Sequence, residues 1–134
     1  TLIYSSPFSR CRRTAEIAKE VLGLKDEIHF DERLRERWFG DLEKTHRSNY
    51  QKVWDMDAKD VTRKDFNVES AQEVQDRIIY FMNDLENMFS NKKILLVSHG
   101  DVLQILQMET LGKSSGEHRQ LPYLNTAEIR ELKA

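Results

Sequence analysis

Ile94-Leu95-Leu96-Val97 is a short run unbroken by polar residues that ends at Ser98-His99-Gly100, and it limits the fold more than any other segment. Four aliphatic residues in a row are too few for a helix. As a strand they are apolar on both sides, which fits a parallel sheet covered by helices on its two faces. The neighbouring segments supply such helices. Ser70 and Glu73 have the spacing of a capping box, and after them Val74, Ile78, Phe81, Leu85 and Met88 repeat on one helical face. On the other side, Val102 to Leu111 reads as a mostly apolar helix that Gly112 can end.

The same strand-then-helix order opens the chain. Leu2-Ile3-Tyr4 is a second apolar strand, and the spacing predicts a helix from Pro7 to Leu22, with a Ser cap, Pro7 in its first turn and Gly23 as its stop. Cys11, Ala15, Ala18 and Leu22 form its buried stripe, while Arg12 and Arg13, near Glu16, read as a solvated face. Residues 28 to 34 predict a short strand or extended loop. Tyr50, Val53, Trp54 and Met56 predict a short helix from Arg47 to Ala58, and the polar stretch from Lys59 to Asn67 reads as a loop able to act as a lid. Ala127 to Leu132 alternates well enough for a last edge strand. The expectation is an α/β fold, a three-layer α/β/α sandwich with a mostly parallel sheet, in one domain over residues 1–134 without internal repeat or linker.

Composition narrows the function. The formal net charge is −2 and charged residues make up 33 % of the chain, with Lys and Arg scattered and not massed in a basic stripe, so nucleic acid is not expected as a partner. No apolar run approaches the length of a membrane span, and the single cysteine, Cys11, has no intramolecular disulfide partner. A cytoplasmic protein is expected. The four histidines, His29, His46, His99 and His118, show no metal-ligand spacing with the cysteine, and neither a Gly-x-Ser-x-Gly elbow nor a P-loop occurs. No metal and no cofactor are expected.

Three segments carry residues suited to phosphate chemistry. Ser5-Ser6-Pro7-Phe8-Ser9-Arg10 follows the first strand and would offer helix-terminal amides and a guanidinium fork to phosphate oxygens. Taken alone, an ordinary capped helix with a surface Arg explains it better. His99 and Gly100 follow the Ile94–Val97 run. There His99 could hydrogen-bond a phosphoryl oxygen or exchange protons near neutral pH, and Gly100 leaves room for a ligand at the backbone. A His bonded to nearby backbone at a strand end accounts for His99 equally well. Glu36 lies between Arg35 and Arg37, which by itself reads as a solvated charge cluster. Two of the three segments sit just beyond strand ends, where open α/β sheets collect their ligands.

In order and spacing, Ser5-Ser6-Pro7 with Arg10, Leu34-Arg35-Glu36-Arg37-Trp38-Phe39-Gly40 and Val97-Ser98-His99-Gly100-Asp101 together resemble the histidine phosphatase family, the phosphoglycerate mutase-like superfamily. Val68-Glu69-Ser70 is similar to the family's Gly-Glu-Ser before its long helix. The resemblance implies that Arg10 is the phosphate-pocket arginine, Glu36 the proton donor and His99 the second pocket histidine, acting on a phosphorylated small-molecule substrate through a phosphohistidine. Val68 replaces the usual Gly, and Lys44-Thr45 stands where a Gly often follows Leu42-Glu43. The family's nucleophile lies in an Arg-His-Gly strand upstream of Ser-Ser-Pro, and no such segment occurs here, so an N-terminally truncated domain is expected. The resemblance thus implies a phosphomonoester hydrolase whose nucleophile lies outside this sequence. The alternatives are a non-catalytic phosphate-binding domain, a structural remnant, or a mutase-type phosphotransferase. The short stretch from Gly40 to Glu69 ranks phosphatase above mutase.

Overall fold

The computed structural model describes residues 1–132. Three parallel strands form the sheet in the order β2-β1-β3, with β1 at Leu2–Ser5, β2 at His29–Phe30 and β3 at Ile94–Val97. Leu2 stands opposite Ile94 and Ser5 opposite Val97, so β1 and β3 end side by side. Four helices pack around them: α1 (Ser9–Leu22), α2 (Arg47–Lys59), α3 (Ala71–Met88) and α4 (Gly100–Thr110). Short 3₁₀ turns occupy Glu32–Leu34, Gly40–Leu42, Asp65–Asn67 and Ser115–Gln120. Among the described residues no helix is long and apolar enough to cross a membrane.

The main core is the face where α3 and α4 meet the sheet. Val74, Ile78, Phe81 and Leu85 of α3 pack with Val102, Ile105 and Leu106 of α4, with Tyr4 of β1 and with Leu34. The alternation of β1 turns Ile3 away from Tyr4, and α1 packs on β1 from there, burying Cys11 and Ala15. Ser70 caps α3 in a full capping box, its hydroxyl accepting from the Glu73 N–H while the Glu73 carboxylate accepts from the Ser70 N–H. Gly23 ends α1 at φ 63°, a backbone conformation that glycine adopts without steric cost. A second, smaller core of Phe39, Val53 and Val68 holds α2 against the segment after Glu36.

Several expectations from the sequence are corrected. β3 is not buried on both faces: its four residues are all half-buried, because among the described residues it is an edge strand, paired with β1 alone. β1 is the central strand. Helix α1 starts at Ser9 and not at Pro7, its N-cap is Phe8, and no side chain caps it, because Ser6 turns inward. Leu22 and Met88 close their stripes on paper but are exposed at the ends of their helices. Ala127 to Leu132 is not a strand. Ala127 takes φ 63° in a turn closed by Glu128 on Asn125, and Arg130 folds back to donate to the carbonyls of Pro122 and Tyr123.

Phe81 is fully buried between both helices and the Tyr4 ring, whose centroid lies 5.7 Å away. Phe81→Ala is expected to lower stability by about 3–5 kcal/mol in urea unfolding, the range for a truncated core aromatic.

Candidate active site

The three segments singled out in the sequence meet at the carboxyl ends of β1 and β3. Arg10 reaches the site from the first turn of α1, His99 is the N-cap of α4 just past β3, and Glu36 arrives on the irregular segment between Leu34 and Phe39. Arg10 Nη2 lies 3.2 Å from His99 Nδ1 and 3.9 Å from Glu36 Oε2, and Glu36 Oε2 lies 3.7 Å from His99 Nδ1. The Arg10 side chain is two-thirds exposed, whereas His99 is buried and the Glu36 side chain about one-quarter exposed. Gly100 opens α4, and a Cβ placed there would meet nothing within 4 Å. Space therefore remains at the helix start.

Hydrogen bonding fixes the state of His99. Arg10 can only donate, so Nδ1 accepts from it and the ring proton sits on Nε2, 2.9 Å from Ser6 Oγ. Burial, then the charges of Arg10 and Arg77, push the imidazolium pKa down to about 4, so His99 is neutral at pH 7. Glu36 moves the other way. Burial and the nearby Asp101 anion raise its pKa to about 7, against the opposing pull of the Arg37 N–H, Arg10 and Arg77. Near neutrality the site thus keeps its exchangeable proton on the carboxyl group and not on the imidazole. A carboxyl poised there can give a proton to an alkoxide and take one from water.

Sequence reasoning missed two features of this place. Ser6, expected as helix-capping chemistry, is instead fully buried and bonded to the His99 ring. Arg37, expected among solvated charges, is buried with its guanidinium on Asp57. Of the other histidines, His29 stacks on Tyr4, His46 accepts the Ser48 N–H at the start of α2, and His118 is buried beside Asp101. None of them joins the Arg10–Glu36–His99 cluster.

A raised carboxyl pKa has a defined signature in stability. Glu36 ionises near its ordinary value of 4.5 in the unfolded chain and near 7 in the folded one, so the stability it favours is complete below about 4.5 and is lost as pH rises through 7. Glu36→Gln is accordingly expected to be more stable than the parent at pH 8 and to lose that advantage by pH 4.5. Urea unfolding at the two pH values checks this, and an advantage of equal size at both would contradict the raised pKa.

Comparisons with known proteins bear on the family and the fold. Residues 1–134 match the histidine phosphatase superfamily (branch 1). The probable phosphoglycerate mutase GpmB of Escherichia coli is 35% identical over 131 residues, covering 93% of this chain and 60% of that protein. The phosphoglycerate mutase of Schizosaccharomyces pombe is 24% identical over 119 residues, covering 83% of this chain and 56% of its own length. The chain therefore spans a little over half the length of these relatives. Among solved structures, mycobacterial glucosyl-3-phosphoglycerate phosphatase aligns with a TM-score of 0.76 at 23% identity, over 92% of this chain and 64% of that one. The α-ribazole phosphatase of Shigella flexneri aligns with a TM-score of 0.68 at 25% identity, over 89% and 60%. The chain has the phosphoglycerate mutase-like α/β fold and belongs to the histidine phosphatase superfamily.

Proposed function

We propose that this chain carries the phosphate pocket of a phosphomonoester hydrolase. The observation that carries the reading is the approach of Arg10, Glu36 and His99, from three separate elements, to within 4 Å of one another. Arg10 would bind phosphoryl oxygens through charge-assisted hydrogen bonds. An arriving phosphate dianion would draw Arg10 from Nδ1 and raise the proton affinity of His99, which then donates to a phosphoryl oxygen. Glu36 would protonate the departing alkoxide and afterwards deprotonate the water that cleaves a phosphohistidine. Gly100 would let the phosphoryl group approach the first amides of α4.

The attacking histidine of this mechanism is not among the residues that form the cluster. In this reading it belongs to a strand on the outer edge of β3. That edge has no strand partner among the described residues, and a groove of about 740 Å³ runs beside it, lined by Leu85, Phe89, Ile94, Leu96, Leu103 and Leu132. A parallel strand seated there would end beside His99. Hydrolysis is favoured over mutase chemistry because a single 13-residue helix, α2, is the main element between Gly40 and Glu69 and leaves little room for a longer substrate-binding insertion.

The test compares the chain with the chain extended upstream of Thr1 by an Arg-His-Gly strand. The chain alone is expected to bind inorganic phosphate and orthovanadate without turning over p-nitrophenyl phosphate, and the extended chain to turn it over. Arg10→Ala is expected to weaken phosphate binding by about 10- to 100-fold, the loss of a charge-assisted hydrogen bond, and His99→Ala to abolish turnover. Unchanged phosphate affinity in both variants would remove these residues from the site.

A further inference from the structure

Arg37 is the largest side chain that this fold withdraws fully from solvent. Nη1 and Nη2 donate to the two carboxylate oxygens of Asp57 at 2.6 and 2.9 Å, and Nε donates to the Glu69 carbonyl at 2.8 Å. Nη1 also lies 3.5 Å from Oδ2 of Asp101, which accepts from Trp54 Nε1 at 3.0 Å. Trp54 and Asp57 are three residues apart on α2, so one face of that helix makes both contacts. The backbone of the same arginine touches the candidate acid, because the Arg37 N–H donates to Glu36 Oε1 at 2.9 Å.

We propose that Arg37 is a positioning residue for Glu36, and that through its fork on Asp57 the seating of α2 governs where the acid stands between Arg10 and His99. The inference rests on the reading of Glu36 as proton donor. A bidentate guanidinium–carboxylate pair permits one orientation, and the Glu69 carbonyl removes the remaining freedom by holding Nε. The Arg37 side chain is buried in the protein while that of its neighbour Glu36 faces Arg10 and His99. Loosening the buried side chain therefore frees the N–H that holds the carboxyl group and admits water to it. The charged and titratable groups that face Glu36 are Arg10 and the Cys11 thiol from α1, Arg77 from α3, and His99 and Asp101 from the start of α4. Asp57 faces Arg37 and acts only through it.

The test is a carbon-detected NMR titration of the Glu36 carboxyl group in the chain, in Asp57→Asn and in Arg37→Lys, with circular dichroism to follow the fold. Asp57→Asn neutralises one arm of the pair, and Arg37→Lys keeps the charge without the fork, so the lysine variant decides if the asparagine variant does not fold. The parent is expected to titrate near pH 7. Each folded variant is expected to titrate lower by about one unit, because burial is the larger effect on this carboxyl group and the water it regains outweighs the loss of the Arg37 N–H, which alone would raise the midpoint. A folded variant whose Glu36 keeps the midpoint of a parent titrating near 7 overturns the positioning role alone. A parent midpoint at the ordinary carboxylate value overturns the proton-donor reading and the positioning role with it.

Discussion

The buried guanidinium of Arg37 is the constraint around which the candidate site is organised. Removing such a cation from water costs several kcal/mol unless anions and acceptors surround it with good geometry. Here they come from distant parts of the chain: Asp57 on α2, Asp101 on α4 and the carbonyl of Glu69 before α3. The cost is offset only when all three arrive together, and their arrival fixes the segment that carries Glu36. Asp101 in turn stands two residues after His99, so the same ion cluster that holds the acid also braces the start of the helix that His99 caps.

The sheet supplies the other half of the arrangement. Because β1 and β3 are parallel and end in register, the residues after them leave the sheet at one end and their side chains meet. Arg10 and His99 converge there, and the Ser6 hydroxyl holds the imidazole from behind. The electrostatics follow from burial. The neutral forms of both His99 and Glu36 are favoured, which leaves Arg10 as the standing positive charge facing a ligand and Glu36 as the store of a proton. The raised pKa of Glu36 lessens the repulsion that a fully ionised carboxylate would set against an arriving anion.

Much of this was legible in the sequence because it depends on local spacing. The capping box of Ser70 and Glu73, the stripe from Val74 to Leu85 and the Gly23 stop are short-range signals, and the helices formed where those signals place them. The convergence of Arg10, Glu36 and His99 rested on strand ends and on a family resemblance. What escaped depends on neighbours that spacing does not reveal. Four aliphatic residues in Ile94–Val97 look the same at the centre of a sheet as at its edge, and only the pairing order shows that β3 is the outer strand. Arg35 and Arg37 look alike in a charged run. Arg35 stays at the surface, while Arg37 turns inward because Asp57, 20 residues on, is there to receive it. At the chain's end, Arg130 finds carbonyls in Pro122 and Tyr123, and this local fold-back displaces the strand that alternation predicts.

In the proposed function Arg10, Glu36 and His99 form one oxyanion pocket. A crystal of the chain soaked in orthovanadate tests it most directly, since vanadate fills phosphate sites with visible density. Vanadate is expected within hydrogen-bonding distance of the Arg10 guanidinium and the His99 ring, with Glu36 beside it. Vanadate bound elsewhere on the protein, or a pocket left empty at saturating concentration, would contradict it.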